Sequence, residues 1–415
     1  MSAFSHTLSR DASISFAHLW SEAGSQLWYG APPGQSVTKQ ASKLRVGVVF
    51  GGRSGEHEIS LRSARSIVDA IDRGRYDVTL IGIDRTGRWH LLDEPTFRHL
   101  TDAALPALDD GGVEVLLPPA PGGSDLIIPS TPSVALDRLD VLFPVLHGTF
   151  GEDGTIQGLF ELADIPYVGS GVLGSALGMD KDVQKRLLQA AGIPVVAFLT
   201  VTLRQWETDR SAVTTAAAEI GLPLFVKPAN LGSSVGITKV TTLDALAAGV
   251  ATALAYDNKV VIEQGISARE IECAVLGNDA PEASVPGEIC PHAEFYSYEA
   301  KYVDQSGATL RIPAPLTPTQ TAAVRDLAVQ VFLLLDCAGM ARVDFFLDRD
   351  TDTLYVNELN TIPGFTTISM YPKLWEASGV SYAELIHRLI DLALQRHAQR
   401  RRLKRTYAPG AGDGR

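Results

Sequence analysis

The chain has 415 residues and carries 36 Lys+Arg against 48 Asp+Glu, a formal net charge of −12. Its 45% hydrophobic and 20% charged residues are those of a globular protein and exclude a disordered chain. The acidic balance speaks against a nucleic-acid binder or a protein spread on anionic membrane, and three cysteines without a CxxC give neither a disulfide framework nor a zinc site.

A prior of about 100–200 residues per domain suggests two to four domains. No stretch approaches the roughly 18 uninterrupted apolar residues of a membrane span, and cysteine usage fits the reducing cytoplasm. Residues 1–43 lack the basic and apolar regions of a secretory signal and show no sustained period. They are expected to form a poorly ordered extension.

Regular structure is predicted to start at LRVGVVF (44–50), a β-branched run ending in Gly51-Gly52. In the next segment Ile59, Ala64, Ile67, Val68 and Ile71 recur at helical spacing, and DVTLIGID (77–84) follows as a second strand. This β-loop-α-β opening predicts a parallel α/β sheet. The stretch 93–137 reads as irregular, and DVLFPVLHG (140–148) as a buried strand ending in glycine. A new unit begins at Met179. It has a helix stopped by Gly192, a strand, a helix stopped by Gly221, and the strand LPLFVKP running into NLGSSVGI. After VVIEQGI (260–266) the pattern turns to antiparallel strands: EIECAVLG, ARVDFFLD and TLYVNELN. A closing helix ends in a basic tail, which suits a helix C-terminus.

GSGVLG (169–174) matches GxGxxG, but a dinucleotide site needs an acid about 20 residues on to hold the ribose. The corresponding PVVAFLTVT contains no carboxylate, so the motif is read as a glycine-rich crossover. No GxxxxGK[ST] occurs either. A stronger phosphate site is Lys227 followed by the small-residue loop to Gly236, where the lysine is a point charge and backbone N–H groups can approach an anion. Ser233 and Ser234 add hydroxyl donors.

Two acidic strands complete the set. Arg342 and Asp344 are two apart and share one strand face, as do Glu358 and Asn360. Carboxylates and an amide oxygen are hard ligands suited to Mg²⁺ on a nucleotide. Arg342 beside them could offset charge on a transferring phosphoryl group. Such groups in otherwise apolar strands are costly unless paired.

Taken in order, GGRSGEHEIS, LHGTFGEDGTIQG, GMDK, VKPANLGSSVG, SYEAKY, ARVD and NELNTIPGFT resemble the D-alanine–D-alanine ligases of the ATP-grasp superfamily, from about Leu44 to about Leu394. The resemblance implies an N-terminal parallel α/β domain followed by a two-domain ATP-grasp fold. Its expected boundaries are 44–168 for the substrate domain, 169–265 for the central domain, 266–397 for the C-terminal domain with metal site and lid, and 398–415 for the tail.

Roles implied by the resemblance fall on individual residues. Lys181 and Lys227 would bind ATP phosphates, Glu263 the adenine amino group and Glu270 the ribose hydroxyls. Asp344, Glu358 and Asn360 would hold two Mg²⁺ (or Mn²⁺) ions. Glu56 would fix the ammonium of the first D-alanine, with His147 near its carboxylate. Glu56, Ser233 and Tyr302 would form a triad closing a lid over the site, from which Lys301 would reach phosphate. Arg342 and the backbone N–H of Gly364 would stabilise the oxyanion, and Ser369 would receive the second D-alanine carboxylate.

The implied reaction is phosphorylation of one D-alanine by ATP, then attack by a second D-alanine amine to give the dipeptide used in peptidoglycan precursors. A homodimer is implied as well. The alternatives are a D-alanine–D-lactate or D-alanine–D-serine ligase, against which SYEAKY with Tyr302 speaks, and a non-catalytic nucleotide-binding regulator on the same fold. His57 and His90 are read as surface or supporting residues without chemistry, the cysteines as small buried hydrophobes, and Trp206 and Trp375 as packing residues.

Overall fold

The computed structural model describes residues 42–404 apart from 104, 110, 122–125, 132–135, 137, 233 and 293–307. The expected N-terminal extension therefore lies outside the described residues, apart from residues 42 and 43. The described residues from Lys43 onward cluster as one compact unit, within which three sheets organise the chain.

The first sheet contains β1 (Leu44–Gly51), β2 (Tyr76–Ile83), β3 (Trp89–Leu92), β4 (Val113–Val115) and β5 (Val141–Pro144), in the order β4-β3-β2-β1-β5. Its centre is parallel, β1 pairing with both β2 and β5. Strands β3 and β4 add antiparallel to one edge. The parallel centre matches the reading of the sequence. The irregular stretch does not hold throughout, because it contains β4 and a helix at Glu94–Thr101. Asp93 accepts the N–H of Thr96 as N-cap, with Pro95 in the first turn.

The helices of this half are α1 (His57–Ala70), α2 (Glu94–Thr101) and α3 (Thr155–Leu162). Helix α1 buries Ile59, Ala64, Ile67 and Val68, the apolar stripe that its spacing predicts. Strand β1 has 0% exposure at Val46, Val48, Val49 and Phe50, as a strand covered on both faces requires.

Helices α4 (Val172–Met179) and α5 (Lys181–Ala190) follow the glycine crossover, then α6 (Leu203–Thr208), α7 (Arg210–Ile220) and α8 (Leu246–Leu254). With them runs an antiparallel sheet of β6 (Phe198–Thr202), β7 (Leu224–Pro228), β8 (Thr238–Val240) and β9 (Lys259–Gln264), ordered β6-β9-β7-β8. Gly221 stops α7 at φ 92°, a left-handed conformation available to glycine.

The third sheet holds β10 (Ala268–Gly277), β11 (Glu282–Ala283), β12 (Gly287–Pro291), β13 (Ala308–Arg311), β14 (Gly339–Asp348) and β15 (Leu354–Asn360). It is antiparallel, β13-β12-β10-β14-β15, with β11 on β10. Helix α9 (Pro318–Leu334) starts in a capping box between Thr317 and Gln320. Helices α10 (Met370–Ala377) and α11 (Tyr382–Arg401) close the chain.

One hydrophobic core joins the first sheet to the third. Val46, Val48 and Phe50 pack in the same cluster as Ala274, Leu276 and Met340, with Leu385, Ile386, Leu389 and Ile390 of α11 completing it. Trp206 and Trp375 are buried, as expected of packing residues. Among the cysteines, Cys273 and Cys337 are buried, with burial pushing both thiols up to about 12, and Cys290 is half-buried. Of the two positions expected for the histidines, surface or supporting, the structure has buried supporting ones. His57 is buried, its Nδ1 on Gly52 O at 2.8 Å and its Nε2 taking the Leu108 N–H at 3.0 Å. His90 is buried 3.0 Å from Asp84.

Candidate active site

Neighbouring strands β14 and β15 set the polar centre. Asp344 faces Glu358 across the ladder and Arg342 faces Asn360, so all four groups share one face. Two carboxylates directly opposite repel unless cations intervene. Arg342 forks onto Asp344, Nε to Oδ1 and Nη2 to Oδ2 both at 2.7 Å, and reaches Glu272 at 2.9 Å. Asn360 Nδ2 donates to Asp344 Oδ2 at 3.0 Å, leaving its amide oxygen as a further acceptor.

Lys181, at the start of α5, connects this centre to the glycine-serine loop. Its Nζ is 3.3 Å from Glu358 and donates to Leu231 O at 2.7 Å. The loop makes a left-handed turn at Ser234, φ 59°. Ser233, Lys301 and Tyr302, with most of the expected lid, lie outside the described residues.

Lys227 is the next-to-last residue of β7, just before the chain turns into the loop. Its Nζ is 2.7 Å from Glu263 Oε2 and donates to Asn357 Oδ1 at 3.5 Å. Burial acts to lower the pKa of Lys227, yet the charges of Glu263 and Glu358 outweigh it and raise the value. Burial likewise acts to raise Glu263, but Lys185 and Lys227 bring it below the usual carboxylate range. Asn357 reaches Lys227 because β15 bulges beside it: Asp344 pairs with Glu358 and Phe345 with Val356, which leaves Asn357 out of the ladder. The charge of Glu270 adds to the field at Lys227.

The first sheet presents Glu56 and His147 at the C-terminal ends of its parallel strands, where open α/β sheets place ligands. Glu56 is buried between loops: a Cβ on Gly148 or on Gly232 would meet Glu56 Oε2 at 2.7 and 2.9 Å. Glycine at both positions is what lets the loops close on this carboxylate. His147 Nδ1 lies 3.0 Å from Ile362 O, so Nδ1 carries the hydrogen, and Ser63 Oγ is 3.1 Å from Nε2. Burial lowers the His147 pKa against the opposing charge of Glu56, which favours the neutral ring.

Glu152 continues this contact. One oxygen accepts the Gly148 N–H at 2.8 Å and the other the Ile362 N–H at 2.9 Å. The backbone of Ile362 is thus held at both its N–H and its C=O by the loop 147–152. Burial, then the charge of Glu56, pushes the Glu152 carboxyl up to about 8. Two residues later, Gly364 sits against Ser369: a Cβ on Gly364 would meet Ser369 Oγ at 3.1 Å. Ser369 Oγ also accepts the Thr366 N–H at 3.1 Å. The ring of Phe365 anchors the segment at 5.9 Å from Phe143 and 5.8 Å from Tyr371.

The described residues thus bring together two groups taken from distant parts of the sequence. Arg342, Asp344, Glu358, Asn360 and Lys181 meet at the acidic strands, with Lys227 and Glu263 linked to them through Asn357. His147 and Glu152 meet the segment that carries Gly364 and Ser369, and Glu56 lies between Gly148 and Gly232 of the adjoining loops.

Reading the sequence missed Lys185, Glu152, Ser63, Glu272 and Asn357. Lys185 stands four residues after Lys181 on the same helix face, and Glu152 lies inside a motif already singled out, so both left a signal. Asn357 left none, because only the bulge turns it toward the site.

Two family models cover nearly all of the described chain, the D-ala D-ala ligase N-terminus over residues 45–170 and the D-ala D-ala ligase C-terminus over residues 187–391. The chain belongs to the D-alanine–D-alanine ligase family. It is 53% identical over 365 residues to the D-alanine–D-alanine ligase of Shouchella clausii, spanning 88% of this chain and 98% of that one. It is 54% identical over 372 residues to D-alanine–D-alanine ligase A of Bradyrhizobium diazoefficiens, spanning 89% and 100%. Among solved structures, the D-alanine–D-alanine ligase of Coxiella burnetii aligns with TM-score 0.74 and 40% identity, over 87% of this chain and 97% of that one. A D-Ala:D-Ser ligase of Enterococcus faecalis aligns with the same TM-score at 34% identity, over 85% and 100%.

Proposed function

We propose that the protein is an ATP-dependent D-alanine–D-alanine ligase. A carboxylate is a poor electrophile, so the γ-phosphoryl group of ATP is first transferred to a carboxylate oxygen of one D-alanine, releasing ADP. The amine of a second D-alanine then attacks the acyl carbon, the carbon–oxygen bond to phosphate breaks, and the amine loses a proton. The products are D-Ala-D-Ala, ADP and phosphate.

The observation that carries this reading is the meeting of two kinds of group. The cation-rich acidic strands around Arg342 and Asp344 suit polyphosphate, while the Glu56–His147 loop suits a small amino acid. The backbone of Ile362 docks that loop onto the segment just beyond Asn360. In this reading Lys181, Lys227 and Ser234 bind ATP phosphates, with Lys301 and Ser233 adding to them from the loops. Glu263 accepts from the adenine amino group, and Glu270 takes the ribose. Glu56 holds the substrate ammonium, neutral His147 lies by its carboxylate, and Ser369 receives the second carboxylate. Arg342 and the Gly364 N–H face the developing oxyanion. Ser233 and Tyr302 close the lid with Glu56, and exclusion of water protects the acyl phosphate from hydrolysis.

The donor set fits a hard divalent cation. Asp344 and Glu358 are opposed carboxylates whose repulsion Arg342 and Lys181 help to offset, and Asn360 adds an amide oxygen. These three residues would hold two Mg²⁺ or Mn²⁺ ions, which supply charge neutralisation of the phosphates. We further propose residues 44–168, 169–265 and 266–397 as the three domains, cytoplasmic action in peptidoglycan precursor synthesis, and a homodimer.

The test is incubation with ATP, Mg²⁺ and D-alanine, following phosphate release and product mass. Dipeptide with stoichiometric phosphate supports the reading. No phosphate release would refute it and favour a nucleotide-binding regulator. Preferential ester formation with D-lactate, or mixed dipeptide with D-serine, would move the assignment to those ligases.

A further inference from the structure

Lys185 on α5 is 1% exposed, so its ammonium has been withdrawn from water. Three groups fix it: Glu263 Oε1 at 3.2 Å, Asn357 O at 3.3 Å and the ring of Phe198, 5.9 Å from Nζ to the centroid. Phe198 is the cross-strand partner of Glu263, so the ring and the carboxylate come to Lys185 from paired positions of β6 and β9. Lys227 takes the other oxygen of Glu263 at 2.7 Å. One buried carboxylate therefore lies between two buried ammonium groups, with the charge of Glu358 acting on both lysines, an arrangement costly to bury unless each group is paired.

The second lysine changes what Glu263 can do. Burial favours a protonated carboxyl, which donates through its O–H as well as accepting. An ammonium on each oxygen keeps it ionised, and an ionised carboxylate only accepts. A group that only accepts pairs with the 6-amino group of adenine and opposes the 6-oxo group of hypoxanthine or guanine. We propose that Lys185 is a positioning residue that sets the base preference of the nucleotide site by holding Glu263 as an oriented, acceptor-only carboxylate. The proposal rests on the reading of Glu263 as the partner of the adenine amino group.

The experiment measures kcat/KM of the full chain for ATP and for inosine 5′-triphosphate, which differ at this position of the base. Mismatching a single buried hydrogen bond is worth roughly tenfold or more in discrimination. In Lys185→Met the ATP preference should fall by about tenfold, through a rise in KM for ATP larger than any rise for the inosine nucleotide. Equal losses for both nucleotides would overturn the proposal, since a purely structural lysine would act on both alike.

Glu263→Gln separates the two layers. If it leaves the preference intact, the base contact itself is wrong. If it lowers the preference while Lys185→Met does not, the contact stands and the role of Lys185 falls. Should Lys185→Met fail to fold, the double variant Lys185→Met/Glu263→Gln, which leaves neither charge of that pair, is compared with Glu263→Gln. Matching preferences support action through Glu263, and a further loss in the double variant refutes it.

Discussion

Replacing Glu152 by glutamine removes a buried titration and spoils one hydrogen bond. In the wild type the carboxyl has its pKa pushed up to about 8 from the ordinary 4.5, by burial first and by the charge of Glu56 second. A value raised on folding means that the folded state prefers the protonated form. That stability is present in full below about pH 4.5 and is lost as pH rises to about 8. At about 1.4 kcal/mol per unit the loss is bounded at about 5 kcal/mol. The glutamine variant loses that dependence. Its amide oxygen can accept from either Gly148 or Ile362, while its amino group faces the other N–H, at a cost of about 1–3 kcal/mol.

The variant should therefore be less stable than wild type at pH 5, and the gap should close or invert by pH 9. Denaturant unfolding across that range, followed by fluorescence, measures it. A gap that stays constant with pH would refute the argument, because it would mean that Glu152 takes up no proton on folding.

Ser63→Ala removes the hydroxyl 3.1 Å from His147 Nε2 that also takes the Phe365 N–H at 3.4 Å. It should cost about 1–3 kcal/mol in unfolding experiments and raise KM for D-alanine more than KM for ATP. Arg342→Lys replaces a fork with two 2.7 Å bonds to Asp344 by a single ammonium, and kcat should fall by about 10²–10³ in steady-state assays. Asp344→Asn should raise the Mg²⁺ concentration for half-maximal activity by about tenfold or more in a metal titration. Arg396→Met deprives the carbonyls of Tyr167 and Gly169 of their donor and should lower stability by about 1–3 kcal/mol in urea unfolding, with kcat affected far less.

The strands and helices most legible in the sequence are those with strict periods. The run 44–50 is apolar and β-branched, and α1 shows its stripe at helical spacing, so both are where the pattern puts them. Segment 93–137 hid a helix because α2 buries only Phe97 and is specified by its cap and Pro95 instead of by a stripe. The site was readable where chemistry sits at fixed local spacing, as in Arg342/Asp344 and Glu358/Asn360. Residues whose roles depend on distant partners were not: Ser63 meets His147 across 84 positions and Glu152 meets Ile362 across 210. Local pattern carries no information about such pairs.

The last helix packs against the first sheet, and this bears on how the chain is made. Leu385, Ile386, Leu389 and Ile390 of α11 share one core with Val46, Val48 and Phe50 of β1, and Arg396 ties α11 to the backbone at Tyr167 and Gly169. A ribosome releases β1 well before α11. During most of synthesis the face of the opening sheet that α1 and α2 cover still lacks the part of its core that α11 supplies. The sheet region therefore completes its core only once α11 has emerged and docked. Truncation within α11 should expose the front of the protein rather than its back.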